Sequence, residues 1–347
     1  MTNDGLSMLL AGDIGGTQTR LRLVADAAGQ PGETLYDQSY PSSEFPDLAP
    51  IVGQFLSSAT TALGKPALPE KACFAIAGPV ANDISILTNL SWTLDARRLE
   101  RELEIAKIAL INDFAAIGYG ILGLDENDLL VLQEAPSQPQ APIAIIGAGT
   151  GLGQGFIIPM TSEPQIFATE GGHSSFAARN ELEFGLLNYI RDRHNLSSVS
   201  VERVVSGSGL PSIYQYLRDR GETTESSEIG DKIRQWEKGK SAIDAAAIIS
   251  VNALDGRDRL CEQTLKLFVE AYGAEAGNQA LKLLPYGGVY IAGGIAAKIL
   301  PLMEAGGFME AFLDKGRMRP LLEKMPVKIV LNSQVGSLGA ALCAAAL

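Results

Sequence analysis

The stretch Leu9–Val24, LLAGDIGGTQTRLRLV, places one aspartate and two glycines between two apolar runs. The runs predict two strands, Ser7–Asp13 and Thr19–Asp26, and apolar and polar residues alternate in the second. The segment Ile14–Thr17 between them predicts a tight turn whose backbone N–H groups can surround an anion. No Gly-Lys-Ser/Thr sequence follows and the next element is a strand, so the turn is neither a Walker loop nor a dinucleotide-binding turn.

The carboxylate of Asp13, at the end of the first strand, would repel a phosphate held by this turn. A divalent cation between the two groups removes that conflict, and Mg²⁺ held through water suits a single carboxylate. The alternative is an aspartate that only hydrogen-bonds the backbone of its own turn.

The composition is that of an ordinary globular protein with an acidic surface. The chain has 347 residues, a formal charge of −12 and a sequence pI of about 4.8. This charge argues against nucleic acid or an anionic membrane as the main partner. The short apolar run at the N-terminus lacks a basic lead, so we expect no secretory signal and a cytoplasmic protein.

Cysteines and histidines are too few and too scattered to form a structural zinc site. Cys73, Cys261 and Cys343 each lie in an apolar stretch, which predicts buried, reduced thiols.

A Pro-rich segment, Gln133–Pro142, precedes a second strand–turn–strand pattern, IAIIGAGTGLGQGFII, with the Gly-rich turn Gly147–Gly153. A third Gly-rich turn, Ala292–Ile295, lies between a predicted strand and a predicted helix. Two similar hairpins about one domain apart suggest a duplicated fold without proving a repeat.

The remaining pattern alternates strands and helices, which predicts an α/β protein. Strands are predicted at Ala72–Val80, Ile108–Asp113 and Val327–Leu331. Helices are predicted at Phe45–Leu63, from about Asp95, and at Ala115–Leu122, Glu181–Arg193, Gly209–Arg218, most of Ala242–Leu284 with a break near Asp255–Gly256, and Ser337–Leu347.

Polar residues with the chemistry to bind or activate a hydroxyl group occur in three further segments. Asn112 and Asp113 end a predicted strand, and the alternative for them is a cap on the next helix. Glu170 and His173 flank two glycines, and Glu202 precedes an apolar step. The alternatives are a structural histidine and an ordinary exposed glutamate.

The ordered motifs GDIGGT, LTNLSW, INDF, GAGTGLG, ATEGGH, ERVVSGSGL and GGVYIAGGI resemble the bacterial ATP-dependent glucokinases, a family of the hexokinase–actin–heat-shock-chaperone ATPase superfamily. The resemblance runs almost end to end. It implies that Asp113 is the catalytic base on the sugar 6-hydroxyl and that Asp13 holds Mg²⁺ through water. It implies sugar contacts from Asn112, Asp113, Glu170, His173 and Glu202, and ATP contacts from Gly12, Asp13, Ile14, Gly15, Gly16, Thr17, Gly149, Thr150, Gly151, Gly293 and Gly294.

The fold implied is α/β, a two-domain actin-like ATPase (ribonuclease H-like) fold with an interdomain cleft. We expect a small domain of residues 1–111 plus 333–347 and a large domain of residues 112–332. The resemblance also implies glucose and ATP as ligands and a homodimer. The related ROK sugar kinases carry a cysteine-rich zinc motif after their E-x-G-H, and none follows Glu170 here, so zinc is not expected.

Two alternatives stay open at this stage. The substrate could be another hexose, such as mannose or an N-acetylhexosamine. A non-catalytic, sugar-responsive regulator is the alternative class. Such regulators carry an N-terminal DNA-binding module, whereas the first hairpin here begins within the first dozen residues.

Overall fold

The computed structural model describes residues 7–87, 89–161, 163–239 and 243–347. The strands are β1 (Met8–Ile14), β2 (Gln18–Asp26), β3 (Pro31–Pro41), β4 (Lys71–Ile76), β5 (Ile84–Leu87), β6 (Trp92–Asp95), β7 (Lys107–Asn112), β8 (Leu129–Gln133), β9 (Ile143–Ala148), β10 (Leu152–Ile158), β11 (Gln165–Thr169), β12 (Gly288–Ala292) and β13 (Val327–Val330).

The helices are α1 (Leu48–Leu63), α2 (Ala96–Leu103), α3 (Asp113–Ile121), α4 (Glu181–Arg193), α5 (Leu210–Arg220), α6 (Ser227–Glu237), α7 (Ala245–Leu254), α8 (Arg259–Leu283), α9 (Gly294–Lys298), α10 (Leu300–Glu304), α11 (Gly307–Leu313), α12 (Arg319–Leu322) and α13 (Val335–Ala346). Short 3₁₀ helices lie at Ser42–Glu44, Glu126–Asp128, Gly171–His173, Val201–Arg203 and Gly316–Met318.

The chain forms two compact units. The first comprises Met1–Glu126, Ile166–Ala168 and Asn332–Leu347, and the second comprises Asn127–Gln165 and Thr169–Leu331. The predicted division differs from this one mainly at α3, which it assigned to the large domain. Helix α3 belongs to the first unit because it packs along α13.

The first unit is a five-stranded sheet with a helical layer on each face. Its strand order is β3-β2-β1-β4-β7, with β1 antiparallel to β2 and parallel to β4. Strand residues alternate between the faces, so Leu10 and Phe74 pack with α1 and α2 while Leu9 and Cys73 pack with α3 and α13. Strands β5 and β6 pair separately as an antiparallel hairpin.

Helices α3 and α13 approach each other closely because glycines form their contact. A Cβ atom added at Gly339 would stand 1.7 Å from the carbonyl oxygen of Ala116, and one at Gly120 would stand 2.0 Å from that of Val335. Small residues therefore hold the helix that begins at Asp113 against the C-terminal helix.

The second unit is a six-stranded sheet with the order β11-β10-β9-β12-β13-β8. Its core includes residues from the long helix α8 and from α4, α5, α7 and α11. Strand β9 is antiparallel to β10 and parallel to β12, and β12 is parallel to β13.

The two sheets share one topology. In each, three consecutive strands form a meander, and two later strands add in parallel beside its first strand, as β4 and β7 do beside β1 and as β12 and β13 do beside β9. This order supports the duplicated fold that the two Gly-rich hairpins suggested.

Most predicted elements lie within a few residues of the observed ones. The helix break at Asp255–Gly256 is confirmed between α7 and α8, and the three cysteines are free and buried as expected. The prediction for β4 was too long: the strand ends at Ile76, because Gly78 has a φ of 154° and Pro79 follows. The predicted start of the α7 region at Ala242 lies outside the described residues.

Helix α6 is amphipathic, with Ile229, Gly230 and Ile233 buried and charged residues on its outer surface. In the described part of the chain, no helix is both long enough and apolar enough to cross a membrane.

Candidate active site

The first Gly-rich turn connects β1 to β2 in the first unit and is braced by a serine that the sequence analysis missed. The N–H of Gly15 donates to the Gln18 carbonyl at 2.9 Å. Ser42 donates from its hydroxyl to the Gly15 carbonyl at 2.8 Å and from its N–H to the Thr17 carbonyl at 3.0 Å. The turn is therefore held from behind while Gly16 and Thr17 stay exposed.

Gly12 and Ile14, two of the residues with implied ATP contacts, have side-chain positions that face the core. Ile14 is fully buried in the core, and a Cβ atom at Gly12 would lie 2.6 Å from the Phe74 side chain. Both residues help to set the end of β1, and the exposed part of the motif is Asp13 with Gly16 and Thr17, while Gly15 is half-buried.

Asp13 is an acid whose charge is poorly solvated. Although its surface is open to solvent, surrounding protein atoms desolvate the carboxyl group and raise its pKa, while attraction to Arg20, its partner residue across β1 and β2, opposes that rise. A carboxylate that lacks full solvation gains from a bound cation, and its oxygens are ligands that Mg²⁺ accepts. In the described residues, no group of three or more His, Cys, Asp or Glu side chains is arranged to hold a metal.

Asn112 and Asp113 lie where β7 meets α3. The Asn112 side chain caps α3: its Oδ1 accepts from the N–H groups of Phe114 at 2.8 Å and Ala115 at 3.4 Å. Its Nδ2 donates to the Gly78 carbonyl at 3.0 Å, so the amide also joins the end of β7 to the loop after β4. The helix-cap alternative therefore holds for Asn112, which has one N–H left for a sugar hydroxyl.

Asp113 is the first residue of α3 and is half-buried. Its Oδ1 accepts from the Phe114 N–H at 2.9 Å. Because Asn112 fixes the start of the helix and the α3–α13 contact fixes its axis, the Asp113 carboxyl group starts from a rigid backbone.

The second Gly-rich turn, in the second unit, is bonded to one of the predicted sugar-binding acids. The N–H of Leu152 donates to Glu202 Oε2 at 2.9 Å, and a Cβ atom at Gly151 would stand 2.4 Å from the same oxygen. A larger residue at position 151 would thus displace the Glu202 carboxylate from this position.

Glu170, His173 and Glu202 lie together in the second unit. His173 Nε2 lies 3.7 Å from Glu170 Oε2, and His173 Nδ1 lies 4.0 Å from Glu202 Oε1. The side chains of Glu170 and His173 are 73% and 63% exposed, against 28% for Glu202. Two carboxylates and an imidazole with spare hydrogen-bonding capacity can each bind neighbouring hydroxyl groups of a neutral ligand.

Two more segments converge on the second turn. Gly293 has a φ of 80°, and a Cβ atom there would lie 2.5 Å from the Ala148 carbonyl oxygen, so the third Gly-rich turn packs directly behind β9. The loop Ser206–Gly209 was quoted in the sequence but given no role. Its Gly207 N–H donates to the Gly149 carbonyl at 2.8 Å, and its alternating Ser-Gly sequence was the available signal.

Comparison with known proteins identifies the family to which these motifs belong. The glucokinase family model matches residues 10–347. The glucokinase of Nostoc sp. is 59% identical over 346 residues, covering 99% of this chain and all of the relative. Among solved structures, a glucokinase from an Antarctic psychrotroph has a TM-score of 0.81 at 30% identity and covers 99% of this chain and 100% of its own.

A glucokinase from Balamuthia mandrillaris, solved in complex with glucose, has a TM-score of 0.79 at 20% identity, covering 100% of this chain and 96% of its own. These similarities confirm the expected actin-like ATPase fold.

We expect Asp13→Asn to raise the unfolding free energy of the ligand-free protein at about pH 7. Desolvation by surrounding protein atoms raises the folded-state pKa of Asp13 above its ordinary value of 3.8, so stability is lost as the pH rises from that ordinary value through the raised pKa. The gain should therefore shrink as the pH falls toward about 4, which urea unfolding at several pH values measures.

Asp37, on β3 of the same sheet, is the matched control. Desolvation would raise its pKa, but hydrogen bonds and attraction from Arg20 and Arg22 outweigh this and lower it. Asp37→Asn should thus destabilise the protein at neutral pH. If Asp13→Asn destabilised it in the same way, the account of Asp13 as a desolvated acid would be wrong.

Proposed function

Because this chain belongs to the glucokinase family, we propose that it transfers the terminal phosphoryl group of ATP to the 6-hydroxyl of D-glucose, with Asp113 as the general base. The observation that carries the proposal is the cluster of Glu170, His173 and Glu202, in which Glu202 also bonds the Gly-rich turn at Leu152. The family match supports a kinase. The acidic side chains beside the second Gly-rich turn suit an acceptor that is a neutral molecule with several hydroxyl groups.

Glucose offers hydroxyl groups that both donate and accept hydrogen bonds. Carboxylates such as Glu170 and Glu202 accept from them, and each such charged hydrogen bond is worth about 1.5–3 kcal/mol. His173 can donate or accept depending on its tautomer. A hexose that lacks a matching hydroxyl leaves a carboxylate unpaired, so this site can discriminate among sugars.

Asp113 accepts the proton of the 6-hydroxyl as the sugar oxygen forms its bond to the terminal phosphorus. The bond between that phosphorus and the bridging oxygen breaks, and ADP leaves with the electron pair. Phosphoryl transfer depends more on alignment and charge neutralisation than on covalent catalysis, so the rigid start of α3 suits the role.

The phosphates of ATP are assigned to the two Gly-rich turns, with the exposed hydroxyls of Thr17 and Thr150 as further donors. A Cβ atom at Gly149 or Gly294 would meet no protein atom within 4 Å. The protein itself therefore does not require glycine there, and the open space suits the close approach of a nucleotide.

Asp13 is the residue that would hold Mg²⁺, because its carboxylate is desolvated and available. The bound ion supplies charge neutralisation at the phosphates. Family membership is also the basis on which we propose a homodimer located in the cytoplasm.

Asp113→Asn tests the general base. We expect ADP release in the presence of glucose to fall by about 100- to 10,000-fold in kcat, since the amide cannot take the proton. Calorimetric titration should still detect glucose binding.

A hexose panel with mannose and N-acetylglucosamine tests the substrate, and preference for either over glucose would overturn that part of the proposal.

The matched control is Asp95→Asn, because Asp95 caps α2 in the same unit by accepting from the Arg98 N–H at 3.0 Å. An asparagine cap preserves this bond, so kcat should stay at the wild-type level. Undiminished turnover in Asp113→Asn would remove Asp113 from the mechanism.

Glu170 and Glu202 should respond differently to substitution. Glu170→Gln should raise KM for glucose about tenfold and leave thermal stability unchanged, since the side chain is mostly exposed. Glu202→Ala should raise the KM values for glucose and ATP together, because it also loses the bond to Leu152. Glu202→Gln keeps an acceptor for that N–H and should affect glucose more than ATP; equal effects of both Glu202 variants would contradict this division.

Gly149→Ala tests whether the second turn receives the nucleotide. The added methyl group has room in the protein, so the melting temperature should stay unchanged while KM for ATP rises about tenfold. Gly293→Ala is the contrasting variant, since its positive φ and the Ala148 carbonyl oxygen should make it destabilising. Normal ATP kinetics in Gly149→Ala would place the phosphates elsewhere.

A further inference from the structure

A row of buried polar side chains extends through the second unit beneath the Glu170–His173 turn. Gln154, on β10, is 5% exposed and donates from Nε2 to Glu275 Oε1 at 2.9 Å. Glu275, on α8, is 6% exposed. The sequence analysis assigned no role to either residue.

The row continues away from the turn to a lysine. Asn278 Nδ2 donates to Glu275 Oε2 at 3.1 Å, and Lys315 Nζ donates to Asn278 Oδ1 at 2.8 Å and to the Ala274 carbonyl at 3.0 Å. The Lys315 side chain passes close to Gly277: a Cβ atom at Gly277 would lie 2.7 Å from Lys315 Cε. The buried Glu275 carboxylate is thus hydrogen-bonded on both oxygens.

The other end of the row touches the turn directly. A Cβ atom at Gly171 would stand 2.3 Å from Gln154 Oε1, and one at Gly172 would stand 2.0 Å from the Leu152 carbonyl oxygen. Thr169 Oγ1 accepts from the Gly171 N–H at 3.2 Å and donates to the Gln154 carbonyl at 3.2 Å. The turn therefore lies on β10 with no side chain of its own between them.

The orientation of the Gln154 amide is set by Glu275. An ionised carboxylate only accepts hydrogen bonds, so the amide NH₂ group must face Glu275 and Oε1 faces Gly171. The side chains of Glu170 and His173 are mostly exposed and lack packing of their own. Their positions consequently depend on the backbone of the turn, and the turn depends on the surface formed by Gln154.

Stability alone gives no reason for this arrangement. Apolar side chains of similar volume at positions 154 and 275 would fill the same space without desolvating a carboxylate, and such replacements are often neutral or stabilising. A buried network with satisfied hydrogen bonds instead fixes a single geometry.

We propose that Gln154, Glu275, Asn278 and Lys315 are positioning residues that hold the Glu170–His173 turn in the geometry that binds the sugar. This inference rests on the proposed function, because it concerns the sugar site of that reaction. It extends the function by making hexose affinity depend on residues buried beneath the site.

The double variant Gln154→Leu/Glu275→Leu tests the proposal without leaving an unpaired buried carboxylate. We expect KM for glucose to rise about tenfold, while KM for ATP and kcat change less than about twofold, because only the sugar-binding turn is displaced. Glu275→Gln retains an acceptor for the Gln154 amide but places an NH₂ group opposite Asn278 Nδ2, which also donates, so KM for glucose should rise less than in the double variant.

Gln279→Leu is the matched control. Gln279 is 5% exposed on the same helix and donates to the carbonyls of Ile145 and Gly155, both at 3.0 Å, but it does not contact the turn. It should lower the melting temperature without changing KM for glucose. An equal rise in KM from Gln279→Leu would attribute the effect to general packing and overturn the proposal.

A folded double variant with unchanged KM for glucose would also overturn it. If the double variant does not fold, Lys315→Met breaks the row at its far end and is expected to raise KM for glucose severalfold; an unchanged value in that folded variant counts against the proposal. Wild-type protein without hexose-dependent ADP release would instead refute the proposed function, and this inference with it.

Discussion

One hydrogen bond, from the Leu152 N–H to the Glu202 carboxylate, is the contact on which the site in the second unit depends. It joins the second Gly-rich turn to the acid that also lies within 4.0 Å of His173. A hydrogen bond to a charged group is worth about 1.5–3 kcal/mol, enough to fix a turn that has few side chains of its own. Gly151 leaves room for the carboxylate in the position where it accepts this bond.

The glycines of the motifs divide into two physical classes. At Gly12, Gly172 and Gly293 a Cβ atom would collide with protein atoms, so glycine there serves the packing of the fold. At Gly149 and Gly294 a Cβ atom would meet no neighbour within 4 Å, so the fold alone does not explain glycine. In a sequence the two classes look alike, and only the surroundings of each residue separate them.

Helices, strands and turns that depend on residues close together in the sequence were predicted well. The first hairpin follows from alternation and a Gly-Gly turn, and the predicted helix Glu181–Arg193 matches α4. The structure also brings together Glu170, His173 and Glu202, which the motifs proposed. The sequence could not reveal the row from Gln154 to Lys315, because its members are separated by long stretches of chain and no local pattern links them. The hydrogen bond from the Asn112 side chain to the Gly78 carbonyl was hidden for the same reason, since Gly78 lies 34 residues earlier.

The shared topology of the two sheets explains how one scaffold presents two kinds of chemistry. In open α/β sheets, ligand-binding residues gather at the carboxyl ends of parallel strands. In the first unit these ends carry Asp13 and Asn112–Asp113, and in the second they carry Gly149–Gly151 and Gly293. The end of β1 therefore carries a carboxylate beside its Gly-rich turn, whereas the equivalent end of β9 leads into a Gly-rich turn alone. Since the strand order is the same, the difference in proposed role comes from side chains at the strand ends, which is where substitutions should alter function with the least effect on the fold.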